Sequence, residues 1–381
     1  NYRFASVELF DDYYFKSESQ RLGVFHQSDY ELGSHLISFG GEFQHLVLPL
    51  DLNVSRPPSP NDPDFDFTTE EKIYVNETLR LNNISLFLQD TWQFHEDLNL
   101  RYGLRYSSSD YQEFQHLVDP RVSLVYQLGS YDALSFSAGR YSQIPEGFKT
   151  NEDFGSTTLS YERSNHYMLA YNHSDELIEY SIQPFYKTFS DLAIDVLDTN
   201  GSTESYASKG EGDAYGIDLS AKYRDGRYYA FVAYTYLNAT RQVSTDDPHK
   251  YPFYGDIPHT LQMVGSIRFW DNWAFSVLSK YSTGKPYTPV VGTYTDPDDA
   301  RVRPIYGDLF SERLPDYFTL NLKIGQKVNL EKGSSISWSF ELMNATNHQN
   351  VTDIRYDDNY NIEGYNEQLP LLPWFDVTYR F

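Results

Sequence analysis

The sequence predicts an all-β protein, an antiparallel transmembrane β-barrel of about sixteen strands. Three observations predict it. Apolar and polar residues alternate in runs of about ten, close to the ~9–11 residues that a tilted membrane strand needs. Connections alternate between short and long, the pattern of a barrel with tight turns on one side of a membrane and long loops on the other. The 381-residue chain also combines 17% aromatic residues, including 34 Tyr and 25 Phe, with a negative mean hydropathy. That combination suits a thin apolar band on a surface otherwise in contact with water.

The strands come first. In "LNLRYGLRYS", Leu98, Leu100, Tyr102, Leu104 and Tyr106 share one face, and Asn99, Arg101, Gly103 and Arg105 share the other. In "YGIDLSAKYR", Tyr215, Ile217, Leu219, Ala221 and Tyr223 oppose Gly216, Asp218, Ser220 and Lys222. "YFTLNLKIGQ" sets Phe318, Leu320, Leu322 and Ile324 against Thr319, Asn321, Lys323 and Gly325. "SISWSFELMN" sets Ile336, Trp338, Phe340 and Leu342 against Ser337, Ser339 and Glu341. The ending "PWFDVTYRF" alternates Phe375, Val377, Tyr379 and Phe381 with Asp376, Thr378 and Arg380. An exposed edge strand of this kind is an aggregation hazard in water, but not when its apolar face meets lipid. No apolar run approaches the ~18 residues of a membrane helix.

The connections come next. Short ones fall near Gly33, His95, Gly129, Ser174, Gly226, Asp271 and Gly333. Long polar segments are expected over 48–82, 142–162, 191–213, 239–258, 284–315 and 345–372, with shorter members near 10–19 and 108–118. With the C-terminus on the periplasmic side, every short turn is periplasmic and every long loop extracellular. "SRPPSPNDPDFDFTTEE" is too rich in Pro and Asp for a central strand.

Charge and chemistry exclude several functions. A net charge of −24 argues against nucleic acid as a partner. There is no Cys, which rules out thiol catalysis and Cys-based metal sites. The ten His are scattered, and no nucleophile-elbow motif occurs. "TGKPYT" lacks the upstream glycine and the strand-to-helix context of a phosphate loop. No enzyme is expected, and no cofactor. The chain starts at Asn1 without a basic or apolar leader, as a mature form or a fragment would.

Three groups of side chains are candidates for binding. Asp62, Asp64 and Asp66, with Asp296, Asp298 and Asp299, form oxygen-rich stretches of the kind hard cations take, or else solvated acidic loops. Arg101, Arg105, Arg121, Arg268 and Arg380 lie at inward positions. They line a polar path and grip acidic groups inside the barrel, or they pair with Asp218, Glu179, Glu341 and Asp376 in the wall. Tyr251, Phe253, Tyr254, Tyr287, Tyr294 and Tyr306 sit in long loops. There they either contact a ligand with rigid apolar area and a polar tip, or pack the loops on one another.

The order of segments resembles the C-terminal part of a TonB-dependent outer-membrane receptor. "HLISFGGEF", "ISLFLQDTWQFHEDLNLRYGLRYS", "DPRVSLVYQL", "YERSNHYMLAYNH", "YGIDLSAKYR", "IPHTLQMVGSIRF", "YSTGKPYTPV", "RLPDYFTLNLKIG", "NATNHQNV" and the terminal aromatic strand follow in that family's order. The set spans most of residues 32–381. The resemblance implies that residues 1–381 are the C-terminal portion of a receptor barrel of about 22 strands, without the plug domain or TonB box. It further implies a bacterial outer-membrane location and import of a scarce nutrient, a ferric siderophore first, with TonB supplying the energy. Partners on this reading are membrane lipid, the plug and remaining barrel strands, the TonB system and the barrel-assembly machinery, for which Phe381 is the signal. A metal chelate or similar small molecule is the cargo. The alternative is a passive sixteen-strand porin, supported by the strand count and the polar interior.

Overall fold

A computed structural model describes residues 2–10, 13–55, 72–110, 115–150, 155–197, 203–270, 272–297, 300–330 and 333–381. Sixteen long strands run through them. They are β1 (Tyr2–Phe10), β2 (Tyr13–Leu32), β3 (His35–Ser55), β4 (Lys72–His95), β5 (Leu98–Ser109) and β6 (Gln115–Gln127). Next come β7 (Asp132–Gln143), β8 (Glu162–Ser174), β9 (Ile178–Leu197), β10 (Thr203–Asp225) and β11 (Tyr228–Arg241). The last are β12 (His259–Phe269), β13 (Trp273–Ser282), β14 (Tyr317–Asn329), β15 (Ser335–Met343) and β16 (Leu372–Arg380). Each pairs antiparallel with the next in one continuous sheet, which Tyr251–Pro252 extends beside β11. Among the described residues β1 pairs only with β2, and β16 only with β15. No helix among them is long and apolar enough to cross a membrane.

The register turns sequence alternation into two faces, because residues directly opposed across a pair share a side. Leu100, Leu124, Phe136 and Leu169 form one such row across β5 to β8. Leu88, Leu104 and Pro120 form another across β4 to β6. At the far end Val277, Leu322, Leu342 and Pro373 continue the pattern, above Phe275, Ile324, Phe340 and Phe375. Among the described residues no second sheet covers this surface: Leu86, Leu88, Leu104, Phe136 and Leu169 are 45 to 57% exposed. The opposite face carries Gln89, Gly103, Arg121, Gly139, His166 and Lys187 in a single row. Apolar residues point outward and polar ones inward, the reverse of a soluble sandwich.

The tight turns lie where glycine and asparagine permit them. Gly33 and Gly333 have φ of 61° and 83°, with open space where a Cβ would stand. The need there is conformational, and glycine meets it without the strain of an L side chain.

The strand limits correct several expected loops. Residues 48–55 and 72–82 pair as strand, from Leu48 against Leu79 to Ser55 against Lys72. Most of 191–213 belongs to β9 and β10, which pair with register shifts around Gly210. Near 10–19 and 108–118 the strands also run on, to Phe10 opposite Tyr13 and Ser109 opposite Gln115. The physical reason is that the backbone ladder continues past the apolar band, where either side chain face meets water. β2, β3, β4, β9 and β10 have 20, 21, 24, 20 and 23 residues, about twice the ~9–11 of a membrane crossing. The buried apolar cluster, Leu159, Ala193 and Tyr206, sits in this extension. There the segment after β7 packs on β9 and β10, and Lys149 Nζ donates to the Ala193 carbonyl at 3.2 Å.

An arginine introduced on the outward row at Leu322 is expected to destabilise the folded barrel in lipid by about 2–4 kcal/mol. The same change at inward Asn321 should cost far less. Denaturant titration of the full-length protein in vesicles reads both.

Candidate functional site

A cavity of about 640 Å³ lies against the inward face of β7 to β11. Register explains its lining. Tyr141, Ser164 and Phe189 occupy one inward row, with His166 and Lys187 in the next and Phe185 in the one beyond. The segment after β11 closes the cavity from above with Phe253 and Gly255. That segment docks by backbone pairing: Tyr251–Pro252 lies beside Thr240 and Arg241, and the Phe253 N–H donates to the Ala239 carbonyl at 2.9 Å. Gly255 lets the Phe253 ring fold back, since a Cβ there would stand 2.9 Å from it.

The cavity sets two cations without a carboxylate partner, Lys187 and Arg241, beside two carboxylates without a cation, Glu162 and Asp218. Arg241 stands 5.0 Å over the Phe253 ring, and Lys187 5.1 Å over Phe185. Arg121, below them, lies 4.3 Å over Tyr141. None of the three has a carboxylate within 4.0 Å among the described residues. The cavity's carboxylates are engaged. Asp213 pairs with Lys250 at 2.5 Å, Glu162 accepts from Gln143 Nε2 at 2.9 Å, and Asp218 accepts from the Thr235 hydroxyl at 2.6 Å. Aromatic faces and unpaired cations in a concave, partly desolvated site are suited to an anionic ligand with flat groups.

The inward arginines stand where alternation puts them, with different partners. Arg101 donates to the Thr91 hydroxyl at 3.3 Å; Arg105 donates to Ser85 at 3.0 Å and approaches Glu42 at 3.8 Å. Arg268, opposite Ala274, is inward at the turn end of β12. The expected arginine ladder on Asp218, Glu179, Glu341 and Asp376 is corrected. Glu179 pairs with Lys222 at 2.6 Å and Glu341 with Lys323 at 3.3 Å, while Asp218 and Asp376 accept from Thr235 and Thr378. Directly opposed neighbours on adjacent strands take the first three contacts, and Asp376 is met by Thr378 two residues along its own strand.

Of the loop aromatics, only Phe253 lines the large cavity. Tyr254 is 62% exposed and packs on it, with ring centroids 4.2 Å apart. Tyr251 donates to Asp247 at 2.5 Å. Tyr287, Tyr294 and Tyr306 belong to two small hairpin ladders between β13 and β14 and do not line that cavity. Asp296 faces Arg303 Nε at 3.2 Å, so a guanidinium already offsets its charge. Asp62, Asp64, Asp66, Asp298 and Asp299 lie outside the described residues. Among the described residues no group of three or more His, Asp or Glu is arranged to hold a metal ion. Phe381 is fully exposed beyond β16. Lys187, Arg241 and His166 were invisible to single-strand reading because only cross-strand register gathers them.

A curved antiparallel sheet, apolar outside and polar within, with long loops gathered at one end, defines the wall of an outer-membrane β-barrel. Residues 1–347 match the family described as "TonB dependent receptor-like, beta-barrel", and the chain belongs to that family. No curated protein matches the sequence. Among solved structures the chain is similar to the FrpB iron transporter from Neisseria meningitidis, with TM-score 0.64 and 13% identity over 96% of this chain and 55% of that one. It is similar to the copper transporter OprC, with TM-score 0.66 and 12% identity over 96% and 57%. It is also similar to the ferric-catecholate import receptor Fiu from K12 E. coli, with TM-score 0.66 and 13% identity over 96% and 55%. The chain thus spans little more than half the length of the structures it matches.

The segment that roofs the cavity carries a pH dependence. The Tyr251 hydroxyl, then the His249 N–H and ring, pull the Asp247 carboxyl down from 3.8 to about 2. A depressed folded-state value stabilises the folded segment above pH 3.8, and that contribution fades as pH falls through about 2. Amide protection over residues 247–251, taken relative to the intrinsic exchange rate at each pH, should therefore fall between pH 4 and pH 2. Asp247→Asn should show the low protection at both values.

Proposed function

We propose that this chain is part of an outer-membrane receptor that binds a scarce nutrient at the cell surface and imports it with energy delivered through the TonB system. The nutrient is an anionic metal chelate, a ferric siderophore first. Family membership supports the class. The observation that carries the ligand reading is the interior cavity, where Lys187 and Arg241 stand over aromatic rings without carboxylate partners. The reading places the long loops outside the cell and the turns and C-terminus in the periplasm. It assigns a plug and further barrel strands to the rest of the protein, and to Phe381 recognition by the assembly machinery.

The passive porin is the weaker reading. A sixteen-strand porin needs its first and last strands paired, because an unpaired backbone group in hydrocarbon costs several kcal/mol. Among the described residues, β1 and β16 each have one neighbour only.

Uptake and binding of iron-labelled chelates test the proposal. Deleting the gene should abolish uptake of at least one anionic chelate under iron limitation. Lys187→Ala should weaken binding of that chelate about tenfold or more, because a hydrogen bond to a charged group contributes ~1.5–3 kcal/mol and 1.4 kcal/mol is a factor of ten. Unchanged binding by Lys187→Ala would contradict the anionic-ligand reading.

A further inference from the structure

The segment that roofs the cavity is held by one buried carboxylate. Asp256 is 2% exposed. Its Oδ1 accepts from the Ala239 N–H at 2.7 Å, and its own N–H donates to the Phe253 carbonyl at 2.7 Å. Its Oδ2 accepts from Arg313 Nη2 at 2.5 Å. Arg313 Nη1 completes the contact, donating to the Asp256 carbonyl at 2.7 Å and to the Gly284 carbonyl at 3.2 Å. The guanidinium thus grips one residue of the β11–β12 segment through side chain and main chain, and one of the β13–β14 segment through main chain.

Neither end of this contact floats. Glu312–Arg313 pairs as a short ladder with Pro286–Tyr287. The Leu314 N–H donates to the Lys285 carbonyl at 2.9 Å. Gly284 passes so close that a Cβ there would come within 1.6 Å of the Leu314 carbonyl oxygen, so only glycine lets the two stretches meet. Asp316 caps the same corner, accepting from the Tyr281 hydroxyl at 2.6 Å and the Gly284 N–H at 3.3 Å. On the other side, two residues separate Asp256 from Phe253, the roof of the cavity, and Ala239 belongs to its wall.

We propose that the Asp256–Arg313 pair is a latch that positions the Phe253 roof over the interior cavity and couples it to the β13–β14 segment. A charge-assisted hydrogen bond to a desolvated carboxylate, joined by a second to the main chain of the same residue, is directional and strong, whereas removing one partner strands a buried charge. The segment therefore has two states: docked, with Phe253 over the cavity, and released, with Asp256 rehydrated. Contacts that pull on the β13–β14 segment from outside reach the cavity through this pair. Arg313 and Asp256 are positioning residues: they shape access and do not touch the ligand. The inference rests on the cavity being the site proposed above, but its test needs no ligand.

Residues 1–381 have no Cys, so a thiol introduced among them is read as the labelling gained over the unsubstituted full-length protein. Ala214 lies on the cavity wall and is 6% exposed. In the full-length protein on intact cells, Ala214→Cys should react slowly with a membrane-impermeant maleimide. Adding Arg313→Met should raise the rate at least fivefold, and Arg313→Lys should restore much of the protection. Arg355→Met, which breaks the exposed Arg355–Glu363 pair in another loop, should leave the rate unchanged. Gel mobility of the folded barrel shows that each variant assembles. If Arg313→Met does not assemble, Asp256→Asn carries the same test, because it keeps an acceptor for Ala239 and loses the charge. Equal labelling with and without the latch overturns the proposal, as does an equal rise in the Arg355→Met control. Either result would leave the transport reading standing, since no uptake is measured.

Discussion

Everything in this structure depends on pairing backbone N–H and C=O groups where no water can reach them. In hydrocarbon an unpaired group costs several kcal/mol, so each strand needs a neighbour on both sides. The antiparallel register meets that need from β2 to β15, and leaves β1 and β16 with one neighbour each among the described residues. The same register puts Leu100, Leu124, Phe136 and Leu169 in one outward row. It also places Arg121, His166 and Lys187 in one inward row. The apolar band and the polar, charged interior are two consequences of one ladder.

Beyond the band the demand relaxes, and side chains replace strands as partners. Asn350, 2% exposed, acts as a peptide group: its Oδ1 accepts from the Phe318 N–H at 2.8 Å and its Nδ2 donates to the Phe318 carbonyl at 3.0 Å. Asn344, at a φ of 47°, does similar work for His348, and the Asn321 Oδ1 accepts from the Asn344 N–H. Asp256 does it for Ala239. These buried amides and carboxylates fix long loops onto strand ends, and so decide where Phe253 stands.

Much of this was legible in the chain. Alternation placed the faces of β5, β10, β14, β15 and β16, and turn residues such as Gly33 and Gly333 placed the tight ends. Strand length was not legible, because polar composition marks solvent exposure and not loop conformation: Ser55 and Lys72 are both polar and still paired. The inward side of Arg101, Arg105 and Arg121 followed from parity. Their partners did not, because Glu179 and Glu341 are reached by Lys222 and Lys323 on the adjacent strand. Phe253 was legible as a loop aromatic. Its partnership with Arg241, and the latch formed by residues 57 apart in sequence, need the fold.

The central claim is that the two outer strands of this sheet are separated by further strands in the complete protein. Spin labels on β1 and β16 of the full-length protein in lipid, read by pulsed dipolar spectroscopy, test it directly. Neighbouring strands lie about 4.8 Å apart, and about six strands between β1 and β16 would complete a barrel of roughly 22. The account predicts a separation of roughly 25 Å or more. A separation of about 5–10 Å would mean that β1 and β16 are neighbours, and would contradict it.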